Sequence, residues 1–296
     1  MGDVTYRYSG HETFHCRPVW LKKGYDLANE SIAHFNREEA VIDLGVGKNM
    51  VASIKFWLRA FGFYDLQENR LTKIAHVLLG DKGLDPFLED DATLYLLHYF
   101  LIKHVEISSI YHLTFLGFAK EKQQFTVDNL YKYLDRENVK NKSDVTAKTI
   151  RNDIKVFLKS YVPVEEQKAD IEDSYNGLFY DLRYILKVNS EGEPVYRFNI
   201  NDGRFMPETV YLYVLLDIFK EAVSISFRDL QEKVSAIFLM DKQGTYSMLE
   251  RLMKKYPALL IFRDDAGRQE LQIRQEIDKI KLLRDYYRRK ESYGRV

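Results

Sequence analysis

Residues 40–64, AVIDLGVGKNMVASIKFWLRAFGFY, decide the predicted fold. The apolar run 40–44 stops at Gly45-Val46-Gly47, a tight turn that separates it from a second periodic segment. Asn49 is placed to cap a second helix and Gly62 to end it. Apolar residues at helical spacing predict one buried stripe on this helix: Met50 or Val51, Ile54, Trp57 with Leu58, and Phe61. The order is that of a helix-turn-helix whose second helix reads DNA, although a helical hairpin packed inside a larger fold explains it equally well.

The opposite face of the second helix carries groups that bind phosphates and base edges: Lys48, Asn49, Ser53, Lys55 and Arg59. We take these residues as candidate DNA contacts. Arg17 and Lys22 lie beside Trp20 and form a basic-aromatic cluster that suits contact with a nucleic-acid backbone, and we add both to the candidates. A solvated turn over a tryptophan-anchored core accounts for that cluster as well.

A middle segment repeats the same order of elements. Residues 125–138 predict an amphipathic helix, and residues 143–161 predict a second helix opened by Ser143, Asp144 and Thr146. Two strands, LRYILKV at 182–188 and VYRFNI at 195–200, follow around a Glu-Gly turn. On the second helix the predicted buried residues are Ile150, Ile154, Phe157 and Leu158. The predicted outward residues, which are further candidate DNA contacts, are Lys148, Thr149, Arg151, Asn152 and Lys155. Helix, helix and hairpin is the winged-helix order, which serves protein docking as well as DNA binding.

A third copy of the pattern is predicted at 207–275. It has helices at 207–222 and 226–238, a Gln243-Gly244 turn, a helix at 245–256 and a hairpin around Asp265-Ala266-Gly267. We therefore predict a mainly α protein with small β-hairpin wings, built from tandem winged helix-turn-helix units. The predicted domains are an N-terminal helix-turn-helix domain at 1–120, a middle winged-helix domain at 121–205, and a C-terminal winged-helix domain with a basic terminal helix at 206–296.

The charge balance limits the class of DNA binder. Lys plus Arg and Asp plus Glu both number 44 among 296 residues, which disfavours a strongly non-specific, histone-like protein. A basic face balanced by acidic loops stays possible because charge is unevenly spread. Residues 274–296 hold eight Lys or Arg against four acids, whereas acid gathers in LDPFLEDD at 84–91.

Several features predict a cytoplasmic location. The chain has one cysteine, which fits a reducing compartment. The N-terminal sequence MGDVTYRYSG lacks the apolar core of a signal peptide. The longest apolar run, at 92–102, is too short to span a bilayer and predicts a buried helix.

His11-Glu12-Thr13-Phe14-His15 matches H-E-x-x-H, the zinc-peptidase motif in which two histidines one helical turn apart bind the metal. Gly10 precedes the motif directly and Pro18 follows it closely, so the sequence leaves little room for the required helix. The motif therefore favours a polar loop over a metallopeptidase, and we predict no metal site.

Gly45-Val46-Gly47-Lys48-Asn49 has the glycines and lysine of a phosphate-binding loop. The G-x-x-x-x-G-K-[ST] pattern requires glycine at position 42 and a hydroxyl residue at position 49, where this chain has Ile42 and Asn49. We therefore exclude an NTPase and expect no nucleotide cofactor. A glycine turn before a helix N-terminus still suits an anion, which in a helix-turn-helix is a DNA phosphate.

Four motifs together resemble an uncharacterised bacterial family: GHETF at 10–14 followed by Arg17, WLKKGYD at 20–26, LGVGKNMVASIKFW at 44–57, and DPFLEDDATLYLLHY at 85–99. Members of that family carry a domain of unknown function and recur beside PAPS-reductase-like proteins in phage-defence and DNA sulfur-modification gene clusters. The family pattern does not require His15. The resemblance implies a role in phosphorothioate modification or anti-phage defence and supplies no catalytic residue.

These observations predict a DNA-binding, non-catalytic component of such a system. It would bind double-stranded DNA and position a PAPS-reductase-like or nuclease partner, or sense modified DNA. The alternative is a protein–protein adaptor of the same system that does not itself bind DNA, which the neutral net charge favours. A hydrolase using His11, Glu12 and His15 is the third hypothesis.

Overall fold

The structure of the chain, a computed structural model, describes residues 5–163, 177–188, 191–265 and 267–293. It divides into two compact units, Met1–Asn199 and Ile200–Val296. The predicted boundary at 205/206 lies close to this division, whereas the predicted boundary at 120/121 lies within the first unit. Ala266, in the predicted turn of the last hairpin, lies outside the described residues.

One aromatic core joins the two predicted parts of the first unit. Nδ1 of His98 lies 2.8 Å from the hydroxyl of Tyr161, and Tyr111 shares a hydrogen bond of 3.2 Å with Ser160. The ring of Phe179 stacks on Tyr161 with centroids 5.1 Å apart. Since these side chains are buried against one another, a break at 120/121 would divide a continuous core.

The first part of this unit is mostly helical. Its elements are α1 Pro18–Glu30, α2 Ala40–Leu44, α3 Lys48–Ala60, strands β1 Tyr64–Asp65 and β2 Arg70–Leu71, α4 Lys73–Leu79 and α5 Asp91–Lys103. The predicted helix, glycine turn and helix are present as α2 and α3, and the whole predicted stripe of α3 is buried. The predicted cap is wrong. Gly47, with extended backbone at φ −68° and ψ 160°, is the N-cap, and Asn49 lies in the exposed first turn of α3.

The second part contains a helical pair and a three-stranded antiparallel sheet. Its elements are α6 Ser109–His112, a π-helical turn Leu113–Phe118, α7 Ala119–Glu121, β3 Gln124–Phe125, α8 Val127–Asn141, α9 Ala147–Tyr161, β4 Ile185–Val188 and β5 Val195–Phe198. The sheet order is β3-β5-β4, in which Phe125 pairs with Tyr196 and Ile185 with Phe198. Thr146 caps α9 by accepting from the Thr149 amide at 3.2 Å.

The second unit repeats this order of elements. It contains α10 Glu208–Phe219, β6 Ser224–Ser226, α11 Phe227–Lys233, α12 Lys242–Lys255, β7 Leu260–Asp265, β8 Arg268–Ile273 and α13 Lys279–Tyr293. Its antiparallel sheet has the order β6-β8-β7, which matches β3-β5-β4. The predicted Gln243-Gly244 turn is wrong because Asp241 caps α12 and accepts from the Gly244 amide at 2.6 Å, which places both residues inside the helix.

The fold is therefore mainly α with small antiparallel sheets, as predicted. The apolar run at 92–102 forms the buried helix α5. None of the helices described for this chain combines the length and apolar character that crossing a bilayer requires.

Two half-buried histidines link the stability of the first unit to pH. Nδ1 of His104 contacts the Ala60 carbonyl and Nδ1 of His112 the Ile102 carbonyl, each at 3.2 Å. Burial lowers the pKa of both rings below the ordinary value of 6.5. A histidine whose pKa is lower in the folded state stabilises the fold above its unfolded pKa and loses this contribution as pH falls through the folded pKa.

We therefore expect the free energy of unfolding to decrease below about pH 6.5, measured by urea denaturation at about pH 8 and about pH 5.5. His112→Gln should show a weaker decrease than the wild type, because it removes one of the two groups whose pKa is lowered. An identical pH dependence in His112→Gln and the wild type would contradict a lowered pKa of His112 in the folded state.

Candidate nucleic-acid interface

The predicted DNA-contacting face of α3 is only partly at the surface. Lys48 and Asn49 are exposed in the first turn, and Lys55 is half-buried with its ammonium 3.0 Å from Oδ1 of Asn36. Arg59 is half-buried in the last turn, and its Nε has no hydrogen-bond partner among the described residues. Burial lowers the pKa of Arg59, and the nearby positive charge of Arg7 lowers it further.

Ser53 does not belong to this face. Its side chain is 0% exposed, so the prediction that it faces solvent is wrong. Ser53 follows Met50 by three positions and precedes Trp57 by four, and these intervals place all three residues on the buried side of α3. Of the residues predicted to contact DNA, those of α3 that reach the surface are thus Lys48, Asn49, Lys55 and Arg59.

The five predicted residues of α9 lie at the surface. Lys148, Arg151 and Lys155 are exposed, and Thr149 and Asn152 are half-buried. The guanidinium of Arg151 lies 4.1 Å from the centroid of the Tyr131 ring and 3.4 Å from Oδ1 of Asp128. No acidic group in the described part of the chain forms an ion pair with Lys148 or Lys155. α9 therefore presents two cations whose charge no carboxylate compensates.

Arg17 and Lys22 have structural partners instead of an open basic surface. The Arg17 guanidinium lies 5.1 Å from the centroid of the Trp20 ring. The ammonium of Lys22 pairs with Asp26 and lies 3.7 Å from Asp81, and its side chain is only 16% exposed. Since carboxylates already neutralise Lys22, we withdraw it from the DNA contacts.

A segment missed by the sequence analysis connects the two candidate helices. We call residues Tyr6–Phe14 the N-terminal strap. Both carboxylate oxygens of Asp153, a buried residue of α9, accept from the Ser9 amide at 3.0 Å. The ring of His11 stacks on Trp57 of α3 with centroids 6.3 Å apart, and its Nε2 lies 3.2 Å from Oδ1 of Asp153. The strap thus holds the buried sides of α3 and α9 together.

Further contacts fix the course of the strap. The Arg7 amide donates to Oγ of Ser109 at 2.8 Å, and the Arg7 carbonyl accepts from the Ser109 amide at 3.0 Å. The Trp57 indole donates to the Phe14 carbonyl at 3.2 Å. A Cβ added at Gly10 would lie 2.7 Å from the Phe56 ring, so glycine is required for the close approach to α3.

The first four residues of the H-E-x-x-H motif belong to this strap and His15 follows it directly, and none of the five is helical. Nδ1 of His11 accepts from the Thr13 amide at 3.2 Å, and Nε2 lies 3.2 Å from Oδ1 of Asp153 without the geometry of a hydrogen bond. His15 is buried and Glu12 is exposed. Across the described ranges, no three His, Cys, Asp or Glu side chains are close enough to hold a metal ion.

The DPFLEDD motif caps α5. The buried carboxylate of Asp85 accepts from the Glu89 amide at 2.8 Å and the Asp90 amide at 3.0 Å, and the Thr93 hydroxyl also donates to it. Asp90 in turn accepts from the Ala92 amide at 2.8 Å. These carboxylates accept hydrogen bonds from backbone amides at the start of a buried helix. This capping role accounts for the acidic motif without a bound ligand.

Comparison with known proteins places the chain in a family. Residues 8–287 match the family described as "Protein of unknown function (DUF4007)". The chain belongs to this family. The family match covers nearly the whole chain, in agreement with the resemblance to a domain of unknown function. No curated protein matches the chain.

Two crystal structures are similar to this DUF4007 chain. One is magnesium ion-bound SspB, with a TM-score of 0.81 and 25% sequence identity over 96% of this chain and 88% of that one. The other is SspB, with a TM-score of 0.82 and 24% identity over 98% and 90% of the two chains.

Proposed function

We propose that the chain is a DNA-binding, non-catalytic component of a bacterial DNA-modification or phage-defence system, built from tandem winged helix-turn-helix units. Two segments support the winged-helix assignment. Each segment has, in chain order, a helix, a short strand, two further helices and a hairpin. The short strand pairs with the second strand of the hairpin, β3 with β5 in one segment and β6 with β8 in the other. In such units the second helix of the pair enters the major groove, which corresponds to α9 in the middle segment.

The exposed face of α9 is the observation that carries the proposal. Lys148 and Lys155 have no acidic partner among the described residues, and Asn152 between them provides an amide that can read a base edge. Thr146 and Thr149 lie at the helix N-terminus, where free amides favour an anion. The helix thus combines phosphate-binding groups with one base-reading group on a single surface.

The first helical pair contributes a second surface. Gly47 leaves the N-terminus of α3 open, and Lys48 and Asn49 are exposed beside it. Arg7 extends the surface at the other end of α3, where it lies near Arg59.

The β4–β5 hairpin and the residues just before it carry two further cations, the exposed Arg197 and Arg183. Both lie in the predicted strands, but they were not among the predicted DNA contacts.

Duplex binding at several salt concentrations tests this proposal. Lys148→Ala/Lys155→Ala is expected to reduce the slope of log K against log salt by about 1.8, since each phosphate contact contributes about 0.9. The matched control is Lys132→Ala/Arg136→Ala on α8, whose cations pair with Asp128 at 2.8 Å and Glu121 at 2.6 Å. The control should keep the wild-type slope, and equal slopes in both variants would contradict binding through α9.

The proposed role in the system rests on the family resemblance. A DNA-bound chain of this kind would position a PAPS-reductase-like or nuclease partner or sense a modified site. Incubating supercoiled plasmid with the protein and Mg²⁺ tests whether it is non-catalytic. We expect the plasmid to stay supercoiled, and conversion to nicked or linear DNA by purified protein would overturn this part of the proposal.

An adaptor that binds only proteins is the second candidate. Ile42 and Phe87 in the first unit are 80% and 66% exposed, which is a large exposure for apolar side chains. The equal numbers of acidic and basic residues fit this alternative. Stable co-purification with a cluster-encoded partner, without any affinity for duplex DNA, would favour the adaptor.

A further inference from the structure

The last described helix, α13, has two different faces. Leu282, Leu283 and Tyr287 are buried, and the helix packs against α10. Lys281, Arg284 and Arg288 are exposed and follow one another at intervals of three and four, so they share the opposite face. We call these three residues the terminal basic stripe.

The terminal basic stripe differs from other cations of the second unit in its lack of acidic partners. Arg228 lies 2.8 Å from Glu232, Lys233 lies 2.7 Å from Asp229, and Arg268 lies 3.3 Å from Glu270. Within the described part of the chain, the three stripe residues form no ion pair. Asp285 is one helical turn from Lys281, yet their side chains are not paired. As far as the described side chains extend, the stripe is therefore a surface of three cations that form no ion pair.

Packing of α13 against the core of the second unit keeps the terminal basic stripe on the outer face of the helix. Lys279, at the start of α13, pairs with Asp217 of α10. Leu283 is fully buried one turn later. The Lys279–Asp217 pair and the buried Leu283 both fix α13 against the core. α13 therefore cannot rotate to bury the terminal basic stripe without losing apolar contacts.

The spacing and chemistry of the stripe match a nucleic-acid backbone. Residues 281–288 span about 10.5 Å along a helix axis, and duplex DNA carries one phosphate charge per about 3.4 Å of its axis on each strand, so the stripe lies within reach of more than one phosphate. The three side chains are long cations of the kind that contacts phosphate oxygens, and about half to two-thirds of protein–DNA hydrogen bonds go to phosphate and sugar. We propose that the terminal basic stripe binds the phosphate backbone of duplex DNA, independently of base sequence. This inference rests on the proposed DNA-binding function.

The test compares two triple variants with equal loss of charge. Lys281→Ala/Arg284→Ala/Arg288→Ala removes the stripe, whereas Arg228→Ala/Lys233→Ala/Arg268→Ala removes three cations that already have acidic partners. Duplex binding is measured over a range of salt concentrations on two unrelated sequences. The stripe variant should lower the salt slope by about 2.7 on both sequences, and the control should keep the wild-type slope.

Other outcomes are also decisive. Lys281→Arg/Arg284→Lys/Arg288→Lys should keep the wild-type slope, because phosphate contact requires the charge and not the side-chain type. Equal salt slopes in the stripe variant and the wild type would overturn the inference while the proposed function stands.

A wild type that fails to bind DNA at low salt would overturn both the inference and the proposed function. Loss of binding to phosphatidylserine vesicles with an unchanged DNA slope would identify a lipid-binding surface instead and overturn the inference.

Discussion

Asp153→Ala is expected to lower the free energy of unfolding of the first unit by about 3 kcal/mol. The carboxylate is 1% exposed and holds the N-terminal strap through the Ser9 amide and His11. Removing it leaves the part-buried Ser9 amide without its acceptor and the buried His11 ring without its neighbouring carboxylate, and an unsatisfied donor away from water costs more than a lost surface contact. Urea denaturation followed by far-UV circular dichroism measures the change.

Two controls separate this effect from the mere loss of a charge on α9. Asp153→Asn keeps the shape and one acceptor oxygen, and should cost about 1 kcal/mol. Exposed Asp144→Ala should change stability by less than about 0.5 kcal/mol. If Asp153→Ala and Asp144→Ala had equal stability, the strap would not hold α3 and α9 together.

Gly62→Ala is the second substitution with a large expected effect. Gly62 ends α3 with φ +67°, and the Phe63 amide reaches back to the Leu58 carbonyl at 2.8 Å. The left-handed conformation costs an alanine about 1 kcal/mol. An added Cβ would also lie 2.1 Å from Cε1 of His104, whose half-buried ring is bonded to the Ala60 carbonyl. Displacing this ring adds about 1–3 kcal/mol, as overpacking of a core does.

Gly45→Ala provides the matched control. Gly45 ends α2 with a similar φ of +63°, and the nearest atom to an added Cβ is Nζ of Lys23 at 4.0 Å. Only the conformational cost of about 1 kcal/mol is expected there. Thermal melting of both variants should show a clearly larger decrease for Gly62→Ala. Equal melting temperatures would show that His104 moves aside without cost.

The local elements could be predicted from the sequence because they depend on local patterns. The periodicity of Ile150, Ile154 and Phe157 identified α9, and Thr146 identified its start. The same reasoning placed Ser53 wrongly. Ser53 lies at the border of a helical stripe whose width depends on its neighbours.

The arrangement of these elements could not be predicted in the same way. Ser9 and Asp153 are 144 positions apart, and no local pattern pairs them. His98 and Tyr161 are 63 positions apart, and their contact joins two segments that each looked like a separate domain. Strands of two residues, such as β3, also lack the length to show an alternating pattern.

Photo-crosslinking tests most directly whether α9 contacts DNA. p-Benzoylphenylalanine is placed at position 148 on α9 or at position 132 on α8, which replaces an exposed lysine in each case. After irradiation with a radiolabelled duplex, the protein–DNA adduct is quantified on a denaturing gel. Binding through α9 predicts a strong adduct at position 148 and background at position 132. Background yield at position 148 under conditions where the duplex is bound would contradict it.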